Sequence, residues 1–139
     1  MAKIGKARRD TARIKEGEWR RLFLDSDPEK DGKILTKGYT DAYRDAVADR
    51  VRLAAEIYNG DRSKMPVSAS RHIDIDMHCT HLFLDVSNVQ GDDGKDLTFT
   101  QFCDVLRDPD YLELWHLAQA ATASVGRRAE ADRESAEKN

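Results

Sequence analysis

Cysteine is scarce in this chain, with two among 139 residues. Cys79 and Cys103 both lie in segments of apolar periodicity, which fits reduced, packed thiols better than a disulfide framework. No apolar run of signal-peptide length stands at the N-terminus, and no stretch approaches the roughly 18 apolar residues of a membrane-spanning helix. The sequence therefore predicts a soluble, cytoplasmic chain with no membrane partner. Catalytic signatures are also missing: there is no glycine-rich phosphate loop, no HExxH element and no nucleophile elbow. Cys79 beside His78 is no dyad, because helical neighbours point past each other. Neither an enzyme nor any catalytic residue is expected. The net charge of -3 is too small to imply a nucleic-acid partner. It is unevenly spread, since Lys3, Lys6, Arg8, Arg9, Arg13 and Lys15 make residues 1–16 a basic, solvated extension.

What is present is mostly helical periodicity, in a chain with 40% hydrophobic residues, enough for one modest core. Residues 27–38, DPEKDGKILTKG, have the layout of a calcium loop. Such loops place oxygen ligands at positions 1, 3 and 5, a glycine at 6, a backbone carbonyl at 7 and a bidentate acid at 12. Asp27, Glu29 and Asp31 fill the first three places, Gly32 supplies the turn with a positive φ, and Lys33 offers its carbonyl, with Leu35 or a water at position 9. Ile34 is the apolar residue expected to pair with a second loop through Leu97. Position 12 is Gly38, which has no carboxylate, so calcium is expected to bind weakly unless water or Asp41 substitutes. A helix over residues 18–25 is expected before this loop, carrying Trp19, Leu22 and Phe23. A second follows it, with Tyr39, Ala42, Tyr43, Ala46, Val47, Val51, Ala54 and Tyr58 in one stripe.

Residues 59–70 read as a linker. Helices are expected over 71–85 and 98–107, separated by the acidic glycine-containing loop VSNVQGDDGKDL, and the Asp108-Pro109 step ends the latter helix. A last helix holds Leu112, Leu114, Trp115 and Leu117. Residues 126–139 are charged and poor in apolar bulk, so a disordered tail is expected. The second loop keeps only one carboxylate in the equivalent register, Asp92, with Lys95 where the turn glycine belongs, so no tight calcium site is expected there.

This order of elements, with the DPEKDGKI loop, a long second helix, a degenerate loop and an Asp-Pro step, resembles the EF-hand superfamily. More narrowly, it is similar to the N-terminal half of sarcoplasmic calcium-binding proteins and their calexcitin-like and photoprotein-like relatives, over residues 16 to 120. The resemblance implies an all-α fold: an EF-hand-like pair over residues 17–125, its second hand degenerate, plus a C-terminal helix. It implies calcium binding or a calcium-derived interaction role. A lone pair of hands exposes an apolar groove, which a homodimer, a partner helix or the last helix acting as a lid would cover.

Three other readings stay open. One is a calcium-independent structural or partner-binding protein. A second is a transition-metal site in RHIDIDMHCTH, where His78 and His81 share a helix face and Asp74 lies four residues before His78. The third is a small-molecule carrier with a cavity lined by Trp19, Tyr43, Trp115 and His116.

Overall fold

The computed structural model describes residues 3–127. Asp10 caps α1 (Thr11–Glu16) by accepting hydrogen bonds from the Ala12 and Arg13 amides, and the helix stops at Gly17, whose φ is +90. Strand β1 (Glu18–Phe23) follows. Its residues alternate, with Leu22 buried while Trp19, Arg21 and Phe23 lie exposed, as on a sheet covered on one face. A tight turn leads back into β2 (Gly32–Thr36), antiparallel to β1, with Trp19 opposite Leu35 and Arg20 opposite Ile34.

Thr40 then caps α2 (Asp41–Ala55), and turns over 56–66 lead into α3 (Val67–His81). The chain next extends as β3 (Phe83–Ser87), which pairs antiparallel with the free edge of β2, placing Val86 opposite Ile34 and Phe83 opposite Thr36. The sheet order is β1-β2-β3. A small hairpin with a Gln90–Asp96 bridge precedes α4 (Phe99–Arg107), whose Thr98 and Gln101 form a reciprocal capping box. Asp108 and Pro109 break the chain into α5 (Leu112–Ser124), which lies across β1 and β2.

The core sits between the sheet and the helices, where Ile34, Ile75, Phe102, Leu106, Trp115 and Ala118 are buried. At its far end the Thr36 and Thr122 hydroxyls meet at 3.1 Å; one donates its single proton to a backbone carbonyl, Lys37 or Ala118, and accepts from the other, so two buried polar side chains are satisfied. The last described turn is anchored too: the Gly126 amide donates to Glu18 and its carbonyl accepts from Asp10. In the basic segment, Ile14 is buried. Residues 128–139 of the expected tail lie outside the described residues. Among the described residues no helix is long and apolar enough to cross a membrane.

The all-α expectation of two helix-loop-helix units is overturned, because the fold is mixed, with a three-stranded antiparallel sheet. Trp19, Leu22 and Phe23 match a helical spacing, but in the strand Leu22 faces the core while Trp19 and Phe23 share the opposite, exposed face. The β1 conformation lets Leu22 enter the core while pairing its backbone with β2. Likewise the helix expected over 71–85 ends at His81, since the open edge of β2 recruits Phe83–Ser87. Ile34 consequently has Arg20 and Val86 as its partners. Leu97 instead closes its own hairpin, with its amide donating to the Val89 carbonyl.

Candidate functional site

Two of the three candidate carboxylates, Asp27 and Asp31, together with Asp25, hold the loop itself, while Glu29 is exposed and takes part through its backbone. Asp31 is buried; one of its oxygens accepts from the Asp25 amide at 2.7 Å, and the other meets Arg21 Nε at 2.8 Å. The Asp25 side chain accepts from the Asp27 amide, and the Asp27 side chain from the Glu29 amide. Asn88 reaches over from the end of β3 and donates to the Glu29 carbonyl at 3.0 Å. Lys33 lies mid-strand, opposite Arg21 and Ser87.

The two glycines have packing roles. Gly32 is outside the positive-φ set, and a Cβ there would stand 3.0 Å from the Phe23 ring. At Gly38 a Cβ would stand 3.1 Å from the Ile14 and Arg9 side chains, so any side chain here requires them to shift by a few tenths of an ångström, while Asp41 lies in the first turn of α2. Among the described residues, no group of three or more His, Cys, Asp or Glu side chains is placed to hold a metal ion.

His78 occupies the middle of the molecule. Its Nδ1 stands 2.8 Å from the Asp74 carbonyl and 2.9 Å from the Tyr43 hydroxyl, and its Nε2 stands 2.7 Å from the Tyr39 hydroxyl. The carbonyl can only accept, so Nδ1 carries the proton and Nε2 accepts from Tyr39. Trp115 packs edge-on at 4.7 Å between ring centroids, and Phe83 closes the cage. Burial lowers the His78 pKa below its ordinary value, outweighing the Asp74 carbonyl and the Asp74 carboxylate 3.5 Å away, both of which favour the charged ring. Burial, with Asp74 adding to it, pushes the Tyr39 phenol up to about 12 and raises Tyr43 as well. This is a neutral, fully bonded cluster with no ring nitrogen left for a metal.

The other metal candidate, His81, is exposed and faces a separate cleft beside Lys37 and Gly38. The residues proposed to line a ligand cup are likewise dispersed: Trp115 and Tyr43 are core, whereas Trp19 and His116 are exposed.

An open groove of about 590 Å³ lies between the end of β1, the hairpin after β3 and the start of α5. Phe23, Val89, Leu97, Val105, Tyr111, Leu112, Leu114 and Leu117 provide its apolar wall. Phe23, Tyr111, Leu112 and Leu117 are each about two-fifths exposed, and neighbouring Leu24 is almost wholly so. The charged residues that line it are Asp92, Asp110 and Glu113, all acidic. Local bonding fixes both walls. The Gly91 amide donates to the Lys95 carbonyl across the hairpin, and the Asp108 carboxylate accepts from the Asp110 amide ahead of α5.

Sequence reading had placed Leu112, Leu114, Trp115 and Leu117 on one packing helix. In the fold Trp115, Ala118 and Ala121 face the core, while Leu112 and Leu117 turn outward into the groove. Phe23 and Leu24 were assigned to or beside a helix and so were missed as groove residues; the signal available was their position beside an acidic turn. Compared with known proteins, the chain matches no family model, no curated protein and no solved structure.

Proposed function

We propose that this chain is a non-catalytic, calcium-independent interaction module of the cytoplasm, whose groove accepts an amphipathic helix bearing basic residues. The observation that carries the reading is the pairing of an exposed apolar wall with lining charges of one sign. Large exposed apolar patches are uncommon on monomers and mark contact surfaces. A helix laid into such a groove anchors through apolar residues at i, i+3, i+4 and i+7, and lysines or arginines flanking that stripe meet Asp92, Asp110 and Glu113. Calcium has no part in this reading, because Asp31 is committed to Arg21 and position 38, close against Ile14 and Arg9, carries no carboxylate.

The test uses two synthetic helical peptides with the same leucine stripe, one flanked by lysines and the other by glutamates, titrated by fluorescence anisotropy. The lysine peptide is expected to bind with a micromolar Kd that weakens as salt screens the rim, and the glutamate peptide to bind at least tenfold more weakly. Leu117→Lys in the protein abolishes binding while changing stability by less than about 0.5 kcal/mol, as is usual for a surface position. Equal binding of both peptides, or binding indifferent to Leu117→Lys, would refute the proposal. A concentration-dependent dimer in sedimentation, lost in Leu117→Lys, would assign the groove to a second copy instead.

A further inference from the structure

The contact between α3 and α4 is built from two adjacent rungs. In one, Arg107 Nε of α4 meets Asp76 of α3 at 2.7 Å, and Arg107 also holds Asp104 at 2.9 Å. One turn along each helix, in the register that the Asp76–Arg107 bridge sets, Cys79 of α3 and Cys103 of α4 face each other, and each thiol is the largest influence on the other's titration. Cys103 is buried and Cys79 half-buried, so the pair lies just beneath the surface behind the Arg107 side chain. Two thiols brought face to face by separate, packed helices need only modest adjustments to reach bonding distance.

From this juxtaposition we propose that Cys79 and Cys103 form a reversible modification site, a dithiol that a hydroperoxide converts into an intramolecular disulfide tying α3 to α4. The chemistry proceeds in two steps. The Cys103 thiolate attacks the O–O bond of the hydroperoxide; an S–O bond forms, the O–O bond breaks, and the departing alkoxide or hydroxide takes up a proton. The Cys79 sulfur then attacks the resulting sulfenic sulfur, forming the S–S bond and expelling the oxygen as water with the Cys79 proton. Two thiols are oxidised by two electrons and one peroxide is reduced. The order follows from the mutual influence of the pair: Cys103 and burial raise Cys79, which keeps its proton, while Cys79 lowers Cys103 and favours its thiolate, with the Arg107 charge adding to it against the opposing effects of burial and Asp104. Groove binding is not required for this site to operate, although Val105 of the same helix lines the groove, so the crosslink would stiffen one of its walls.

The experiment treats the native full chain with a small molar excess of hydrogen peroxide and follows it by intact mass, thiol titration and peptide mapping. The expected result is a mass lower by two hydrogens, free thiols falling from two to zero, a Cys79 peptide linked to a Cys103 peptide, and full reversal by dithiothreitol. The oxidised chain should also melt at a higher temperature than the reduced one. Cys79→Ser should block the crosslink, and because wild-type mapping needs no variant, a poorly folding mutant does not obscure the answer. The proposal is overturned if both thiols remain titratable under native conditions, if each oxidises separately to sulfinic acid, or if the disulfide forms between two chains.

Discussion

Acidification is the most direct probe of the neutral His78 at the centre of the fold. In the unfolded chain the imidazole titrates near its ordinary value of 6.5, whereas in the folded chain burial among Tyr39, Tyr43, Phe83 and Trp115 lowers its pKa. The unfolded state therefore binds the proton first. Stability from the neutral ring is complete above about pH 6.5 and is lost as pH falls toward the folded value, with a slope that approaches about 1.4 kcal/mol per pH unit. Between pH 6.5 and 5.0 the loss has a ceiling of about 2 kcal/mol, a large fraction of the roughly 5 to 15 kcal/mol that holds a domain together. Urea unfolding of wild type and His78→Gln at pH 8.0, 6.5 and 5.0 measures it. Glutamine keeps a donor and an acceptor for the tyrosines but does not titrate, so other ionisations cancel in the difference between the two curves. The variant should start lower by about 1 to 2 kcal/mol through lost ring packing and imperfect bonds, then converge on wild type as the pH falls. Parallel curves would show that the ring is not held neutral. A gap that widens in acid would mean that the Asp74 carboxylate, 3.5 Å away, outweighs burial.

Two further outcomes test the turn and the chain end. Asp31→Asn keeps the shape but removes the buried charge facing Arg21, and should cost about 2 to 3 kcal/mol in chemical denaturation; wild-type melting should be unchanged by millimolar calcium, and a calcium-induced rise would reinstate the metal reading of this loop. Gly126 combines a φ of +82 with an Ile14 carbon that would lie 2.8 Å from any Cβ, so Gly126→Ala should lower stability by at least about 1 kcal/mol, read as a fall in Tm.

The helical parts of the fold were legible where local signals agreed. Of the stripe from Tyr39 to Tyr58, Ala42 through Ala54 lie in α2, and Thr98 with Gln101 marks the start of α4. Asp108 and Pro109 end that helix where the proline rule places the break. Strands were hidden because β1 and β3 are short and each holds few buried residues, so neither carries a long alternation, and their pairing with β2 joins segments distant in sequence. The Asp27 loop is ambiguous in sequence for a related reason. Acid at alternate positions followed by glycine serves a self-bonded hairpin turn as well as a cation, and only Arg21 across the strand distinguishes them. His78 stands in a polar-looking run, yet the residues that make its site come from elsewhere in the chain, Tyr43 from the first turns of α2 and Tyr39 from just before its cap. The groove was invisible for the same reason, being assembled from three separate segments.

The central place of β2 also bears on how the chain reaches its folded state. Its pairing with β1 is local and closes through a short turn, but its other edge must wait for β3, with the whole of α2 and α3 between them. Bringing those strands together from an extended chain carries the entropy of closing a long loop, and much of it is removed if α2 and α3 first fold back on one another and deliver Phe83 next to Thr36. The helical pair thus acts as a clasp that shortens the search: sheet completion is timed by helix docking, and until that happens one edge of β2 stands open to strands of other chains.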